Sequence, residues 1–255
     1  MKTFLAASIC FAMALSASAA CAGVVIDEQV TTGGGPVRTH HMFIQGRKEK
    51  VVGNHNTVVI DLDNGTMTII QPALKTYAQV PFPMRGMASA GPNGPLNMNF
   101  AKSGGKDTIA GYPCEKYSGA GKTAMAEVST KVCFATSAPG ADAYSAFNKA
   151  MAEKLRSVGA MAGTIPEGIP LKMESTQKIV TFSMPGMSAD QQARLKAMLA
   201  NRPPQVTNTI VTKVSSEDLP ADTFAIPAGY TRRGAPIAPP SAPPASVATP
   251  ISSPE

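Results

Sequence analysis

Between residues 24 and 80 the chain alternates short β-branched runs with turn residues, and that spacing leaves room for little but a β-meander. Val24-Val25-Ile26 leads into Gln29-Val30-Thr31-Thr32, which Gly33-Gly34-Gly35-Pro36 interrupts. Residues 38–45 and 48–52 read as the next strands. Thr57-Val58-Val59-Ile60 then runs through Asp61-Leu62-Asp63 into Asn64-Gly65, and Thr66-Met67-Thr68-Ile69-Ile70-Gln71 follows. Two β-rich runs around Asn-Gly spell a hairpin, because both central residues tolerate positive φ. Pro72-Ala73 turns the chain again into Lys75-Thr76-Tyr77-Ala78-Gln79-Val80.

Residues 81–99 follow neither the two-residue nor the 3.6-residue period. They hold Pro81, Pro83, Pro92 and Pro95 with Met84, Met87 and Met98, and they read as a long loop. Strands resume over residues 100–117 and 128–135, with Gly119-Ala120-Gly121 as the turn between them. Cys114 lies in the first strand and Cys133 in the second. Neighbouring strands bring such a pair to bonding distance, so a Cys114–Cys133 disulfide is expected.

Two segments switch to a helical period. Tyr144, Phe147, Met151, Leu155 and Val158 recur at intervals of three and four and form one apolar stripe. Asp142 is placed to cap this helix and Gly159 to end it. A shorter helix starts at Ser188, where Ser188-Ala189-Asp190-Gln191 spells a capping box. Leu195, Met198 and Leu199 are its apolar side, and Asn201 with Pro203 stops it. Strands over residues 169–174, 178–182 and 206–214 complete the set. Helices with one apolar face, set among antiparallel strands, imply a sheet covered on one side. Met151, Met161, Met173, Met184, Met187 and Met198 gather in this half, either as core filler or as the wall of an apolar ligand site.

The ends differ in kind. Lys2 precedes an apolar run of residues 4–15, which dissolves into Ser16-Ala17-Ser18-Ala19-Ala20. A membrane span needs about 20 apolar residues, so residues 1–22 read as a secretory signal peptide. Cutting after Ala22 leaves one cysteine pair, and cutting after Ala20 makes Cys21 an acylation site. The soluble product in the periplasm is expected, with an outer-membrane lipoprotein as the alternative. Residues 233–255 are rich in Pro, Ala and Ser, and they read as a disordered tail. One domain is left, residues 23–232.

The formal charge of +6 is scattered, with no stripe that would follow a nucleic-acid backbone. Contact with a membrane surface is expected only if Cys21 is acylated. Gly-x-Ser-x-Gly is missing from the sequence, and Lys116 stands where a phosphate loop before Gly121-Lys122-Thr123 needs glycine. Asp61-Leu62-Asp63-Asn64-Gly65 starts like a calcium loop, but its fifth position is Gly65, which offers no side-chain oxygen. His40 and His41 are neighbours on a strand and point to opposite faces, so they do not chelate one ion. With three histidines in the chain and no visible nucleophile–base pair, no enzyme, metal or cofactor is expected.

Four blocks together resemble a known family. They are Lys75-Thr76-Tyr77, Ile109-Ala110-Gly111-Tyr112-Pro113-Cys114-Glu115-Lys116-Tyr117, Gly168-Ile169-Pro170-Leu171-Lys172-Met173-Glu174 and Leu219-Pro220-Ala221-Asp222-Thr223-Phe224-Ala225-Ile226-Pro227-Ala228-Gly229-Tyr230. Their order and spacing are similar to bacterial exported proteins of domain of unknown function 4412, over residues 24–232. That family is similar in turn to periplasmic lipoprotein carriers. The resemblance implies a mainly-β (α+β) fold, an antiparallel half-open barrel with helices covering its concave face. It carries over no catalytic residue. Residues 81–99 and the Pro-rich tail depart from the family pattern. The expected function is non-catalytic binding of a lipid or acyl chain under the stripe of Tyr144, Phe147, Met151, Leu155 and Val158. The alternative is a structural or protein-interaction component of the cell envelope.

Overall fold

The computed structural model describes residues 22–83, 96–122, 126–179, 188–200 and 202–234. The expected signal peptide apart from Ala22, Cys21, the tail from residue 235, most of the 81–99 loop with Met84 and Met87, and Met184 and Met187 lie outside the described residues.

The first six strands are β1 (Gly23–Thr32), β2 (Arg38–Gln45), β3 (Lys48–Val52), β4 (Thr57–Asp61), β5 (Thr66–Gln71) and β6 (Thr76–Pro81). Each pairs antiparallel with the next. The meander read from the turn residues is therefore present. Its Asn-Gly hairpin is wider than expected, because the connection runs over residues 62–65 and only Gly65 of the pair has positive φ. Leu62 sets this width. It is fully buried, and its N–H donates to the Arg47 carbonyl at 3.0 Å. The Asp61 carboxylate accepts the Asp63 and Asn64 N–H groups across the turn, at 3.0 and 2.9 Å.

The second half contains β7 (Leu96–Ile109), β8 (Tyr112–Lys122), β9 (Ala126–Ala135), helix α1 (Ala141–Ser157), β10 (Met161–Ala162), β11 (Ile169–Ile179), helix α2 (Ala189–Ala200), β12 (Gln205–Glu217) and β13 (Thr231–Arg232). Here the sequence reading needs four corrections. The long loop ends sooner, because β7 begins at Leu96. The expected strand over 100–117 is two strands, folded at Ala110-Gly111, where both residues have positive φ. Gly119-Ala120-Gly121 is no turn but the middle of β8. Gly119 lies under the Phe100 ring, and a Cβ there would stand 2.8 Å from it, so glycine serves close approach rather than reversal. The strands expected over 169–174 and 178–182 are one continuous strand as far as Ile179.

All thirteen strands join one sheet, in the order β10-β7-β8-β9-β11-β12-β1-β2-β3-β4-β5-β6-β13. Its ends do not meet, so it is a half-open curved sheet rather than a barrel. Two-residue strands paired in parallel, β10 on β7 and β13 on β6, stand at its edges. Register shifts interrupt the β7–β8, β9–β11 and β1–β12 ladders, and such bulges strengthen the twist that curves a sheet.

Helix α1 stops the concave side. Gly140, not Asp142, is its N-cap, and Asp142 sits in the first turn. The chain enters the helix across Val24, where a Cβ on residue 140 would stand 2.6 Å from the Val24 side chain. Gly140 also has φ +75°, so no other residue fits without strain. At the other end the Ala160 and Gly159 N–H groups return to the Leu155 and Arg156 carbonyls, at 2.8 and 2.9 Å. The short helix α2 begins with the expected reciprocal cap. Ser188 N–H donates to Gln191 Oε1 at 2.9 Å, and Gln191 N–H donates to Ser188 Oγ at 3.3 Å. Of its apolar side, Leu199 is buried but Met198 is 69% exposed.

Cys114 on β8 and Cys133 on β9 form the expected disulfide, with Cα atoms 5.3 Å apart and a sequence separation of 19. Closing a loop of that size removes unfolded-state entropy worth about 3 kcal/mol. Replacing both cysteines by alanine is expected to lower the free energy of urea unfolding by about that amount. A double variant as stable as the parent would show that the bond constrains nothing.

Candidate functional site

The concave face can be read from strand register, because paired residues share a face. One crosswise row runs Val24–Ile44–Glu49–Ile60–Met67–Val80. The next runs Ile26–Met42–Val51–Val58–Ile69–Ala78. Beyond it Glu28 stands opposite His40. Eleven of the twelve residues in the two rows are apolar, and Glu49 is the exception.

Helix α1 packs against β1, β2, β10 and β11, and so covers one part of this face. Phe147 is 1% exposed and joins the core with Val24, Ile26, Ile44, Val211 and Val214. Tyr144, Met151 and Leu155 pack half-buried against the same core. Four of the five stripe residues are thus brought together. Val158 is not among them: the helix ends at Ser157, and Val158 is 39% exposed. Under the helix, Phe147 packs into that core.

The apolar face continues beside the helix, where Ile60 and Met67 still pack against the core. Val51, Val58, Ile60, Met67, Ile69, Ala78 and Val80 on β3–β6 are all half-buried. The opposite, convex side of these strands is better covered, with Thr57, Val59, Thr68 and Ile70 buried. The segment after β12 crosses that side. Lys50, which pairs with Phe43 and Val59 there, donates from Nζ to the Thr223 carbonyl at 2.8 Å. Leu219 lies against Gly23.

The polar groups of the concave face cluster where α1 meets β1–β3. His40 Nδ1 is 3.2 Å from Glu28 Oε1. His41 points to the other face and meets Asp27 at 2.7 Å. The two histidines therefore do separate things, as strand alternation requires. Burial, with the Glu28 charge adding to it, pushes the Glu49 carboxyl up to about 7. Burial also raises the Tyr144 phenol above its ordinary value, and the charges of Glu49 and Glu28 act on it in the same direction. Glu49 thus takes up a proton more readily than an exposed carboxyl, and Tyr144 holds its proton. Among the described residues, no group of three His, Cys, Asp or Glu side chains could hold a metal ion. A separate groove of about 460 Å³ runs along the outer side of α1, lined by Ser145, Lys149, Arg156 and Ile165 among others. Its walls mix both charges, and it does not join the apolar strip.

Sequence reasoning found the helix stripe but missed Val51, Val58, Ile69, Val80 and Glu49. Their common face is visible only once the strands are in register.

An open antiparallel sheet stoppered by one helix defines a helix-plugged half-barrel. The family described as domain of unknown function (DUF4412) matches residues 27–205, and the chain belongs to that family. No curated protein matches it. Solved structures match at low identity. One is described as PNGF-II, with a TM-score of 0.41 and 8% identity, over 84% of this chain and 31% of that one. The chain thus spans about a third of that protein's length. Another is the LolA superfamily protein NE2245 from Nitrosomonas europaea, with a TM-score of 0.27 and 7% identity, over 80% of this chain and 89% of that one. Among the described residues no helix is long and apolar enough to cross a membrane.

Glu49 gives the face a pH signature. A carboxyl raised from 4.5 to about 7 binds more protons folded than unfolded, so stability falls as pH rises through that window and is level above it. The loss amounts to about 3 kcal/mol. Glu49→Gln mimics the protonated form. In urea unfolding at pH 5 and pH 8 the wild type is expected to lose stability relative to this variant by about that amount. Parallel pH curves for the two proteins would contradict the burial of this carboxyl.

Proposed function

We propose that this protein binds an apolar molecule, a lipid or acyl chain, on the concave face of its sheet, without catalysing a reaction. The observation that supports it is the strip of half-buried apolar side chains on β3–β6 beside the seated helix. Apolar side chains that are only partly buried by the described residues favour whatever covers them. In this reading Tyr144, Phe147, Met151 and Leu155 form the fixed wall, and Val51, Val58, Ile69 and Val80 form the surface the ligand covers. Val158 contributes at most at the rim. The protein acts in the periplasm, delivered there by the signal peptide read from residues 1–22 and held by one disulfide. Acylation at Cys21 would instead tether it to the outer membrane.

Native mass spectrometry of protein prepared from the periplasm, followed by titration with a fluorescent acyl probe, tests this. One probe per chain is expected. Val58→Asp and Ile69→Asp are each expected to weaken binding at least about tenfold, since each puts a charge against buried apolar surface. Unchanged circular dichroism would exclude unfolding as the cause. Ligand-free protein that takes up no probe would overturn the proposal. A stoichiometric protein partner in the same preparation would favour a role in envelope assembly.

A further inference from the structure

We propose that residues 235–237 continue β13 along the free edge of β6 and strap that end of the concave face, so that the strap and an apolar ligand compete for it. The edge pairing stands on its own; the competition rests on the apolar-site reading above.

β13 lies parallel to β6, with Thr231 opposite Thr76 and Arg232 opposite Tyr77. Thr231 N–H donates to the Lys75 carbonyl at 3.0 Å, and Arg233 N–H to the Tyr77 carbonyl at 2.8 Å. Alternate residues of a strand turn their backbone groups to the same side, so Gln79 presents its N–H and C=O to this edge as well. Among the described residues no strand pairs with that edge beyond Tyr77. The chain leaves at Gly234 in a groove of about 230 Å³ lined by Ile69, Tyr77 and Ala78 among others. Ile69 and Ala78 belong to the second concave row. The two edges of the sheet are finished differently. The free edge of β7 carries Lys102 and Lys106, a register shift between them, and Gly104 and Gly105 at positive φ. Charges and bulges of this kind guard an edge against a further strand. Residues 78–80 of β6 are Ala, Gln and Val, with no charge and no register shift. Pro81, which lacks an N–H, ends the run.

Continuing the observed register brings Ala235 opposite Val80 and Ile237 opposite Phe82. Ala235 N–H then meets the Gln79 carbonyl, and Ile237 N–H the Pro81 carbonyl. Pro236 falls on the alternate position, where an N–H would point away from β6, so its missing donor loses no rung. Pro239 is the next residue that would have to donate, and it has no N–H, so the ladder stops there. The sequence thus suits the edge as far as Ile237 and ends the pairing by Pro239. Paired residues share a face, so Ala235 and Ile237 join the concave side beside Val80 and the buried Phe82. An apolar ligand reaching Val80 would have to lift them.

Amide exchange followed by NMR on the full chain, disulfide intact, tests the pairing. The Ala235 and Ile237 amides are expected to exchange at least about tenfold slower, relative to their intrinsic rates, than those of Ala238 and Ser241. Ala235→Pro removes the donor to Gln79 and is expected to abolish the protection at Ile237. Ala238→Pro, at an outward position, is expected to leave it. Unprotected amides at both Ala235 and Ile237 would overturn the strap. For the competition, a chain ending at Gly234 keeps every described residue and is expected to bind the fluorescent acyl probe at least about threefold tighter than the full chain. Equal affinities of the two chains would overturn the competition and leave the pairing standing. Failure of both chains to take up the probe would overturn the apolar site itself, and the competition with it.

Discussion

Everything in this molecule depends on how Phe147 and its helix close the concave side of an open sheet. A curved sheet with unjoined edges cannot bury its inner face by itself. Here α1 supplies the missing layer, and Phe147 enters the core beside Val24, Ile26 and Ile44. The seat is specific at both ends. Gly140 lets the chain cross Val24 without a clash, and the Ala160 N–H closes the last turn onto Leu155. Those contacts fix the helix over β1 and β2, while the concave residues of β3–β6 are half-buried.

Much of the fold was legible because turn residues and the two periods agree with tertiary structure. Strands β2 and β3 fall where residues 38–45 and 48–52 were read, and the capping box of α2 forms as spelled. The misreadings have local physical causes. Gly119 looked like a turn residue but serves as the floor for the Phe100 ring. The reversal falls instead at Ala110-Gly111, which lacks the usual Asn or Asp. Val158 extends the helical period by one step, but the last turn closes before it.

The candidate site was half legible. A helix announces its buried stripe in its own sequence, whereas a sheet face is assembled from residues on several strands. Alternation would have marked the face if one side of β4 and β5 were wet. It did not, because Val59 and Ile70 are buried on the convex side while Val58 and Ile69 line the concave one. The convex face mixes Val59 and Ile70 with buried threonines, so the period-two signal is weakened. Glu49 was hidden for the same reason: nothing nearby in sequence says that its neighbours are Ile44 and Ile60. A carboxyl inside an apolar row breaks local consistency, and sequences that fold reliably keep such breaks for places where something is recognised or switched.

Thiol accessibility measures the openness of the concave strip directly. Single cysteines at Val58, Ile69 and Val59 would be introduced with the native disulfide intact, and their labelling by a small maleimide timed. The account predicts that Val58→Cys and Ile69→Cys label readily and are slowed by a bound amphiphile, while Val59→Cys on the buried convex side stays protected. Protection of all three positions, or faster labelling at Val59 than at Val58, would contradict it.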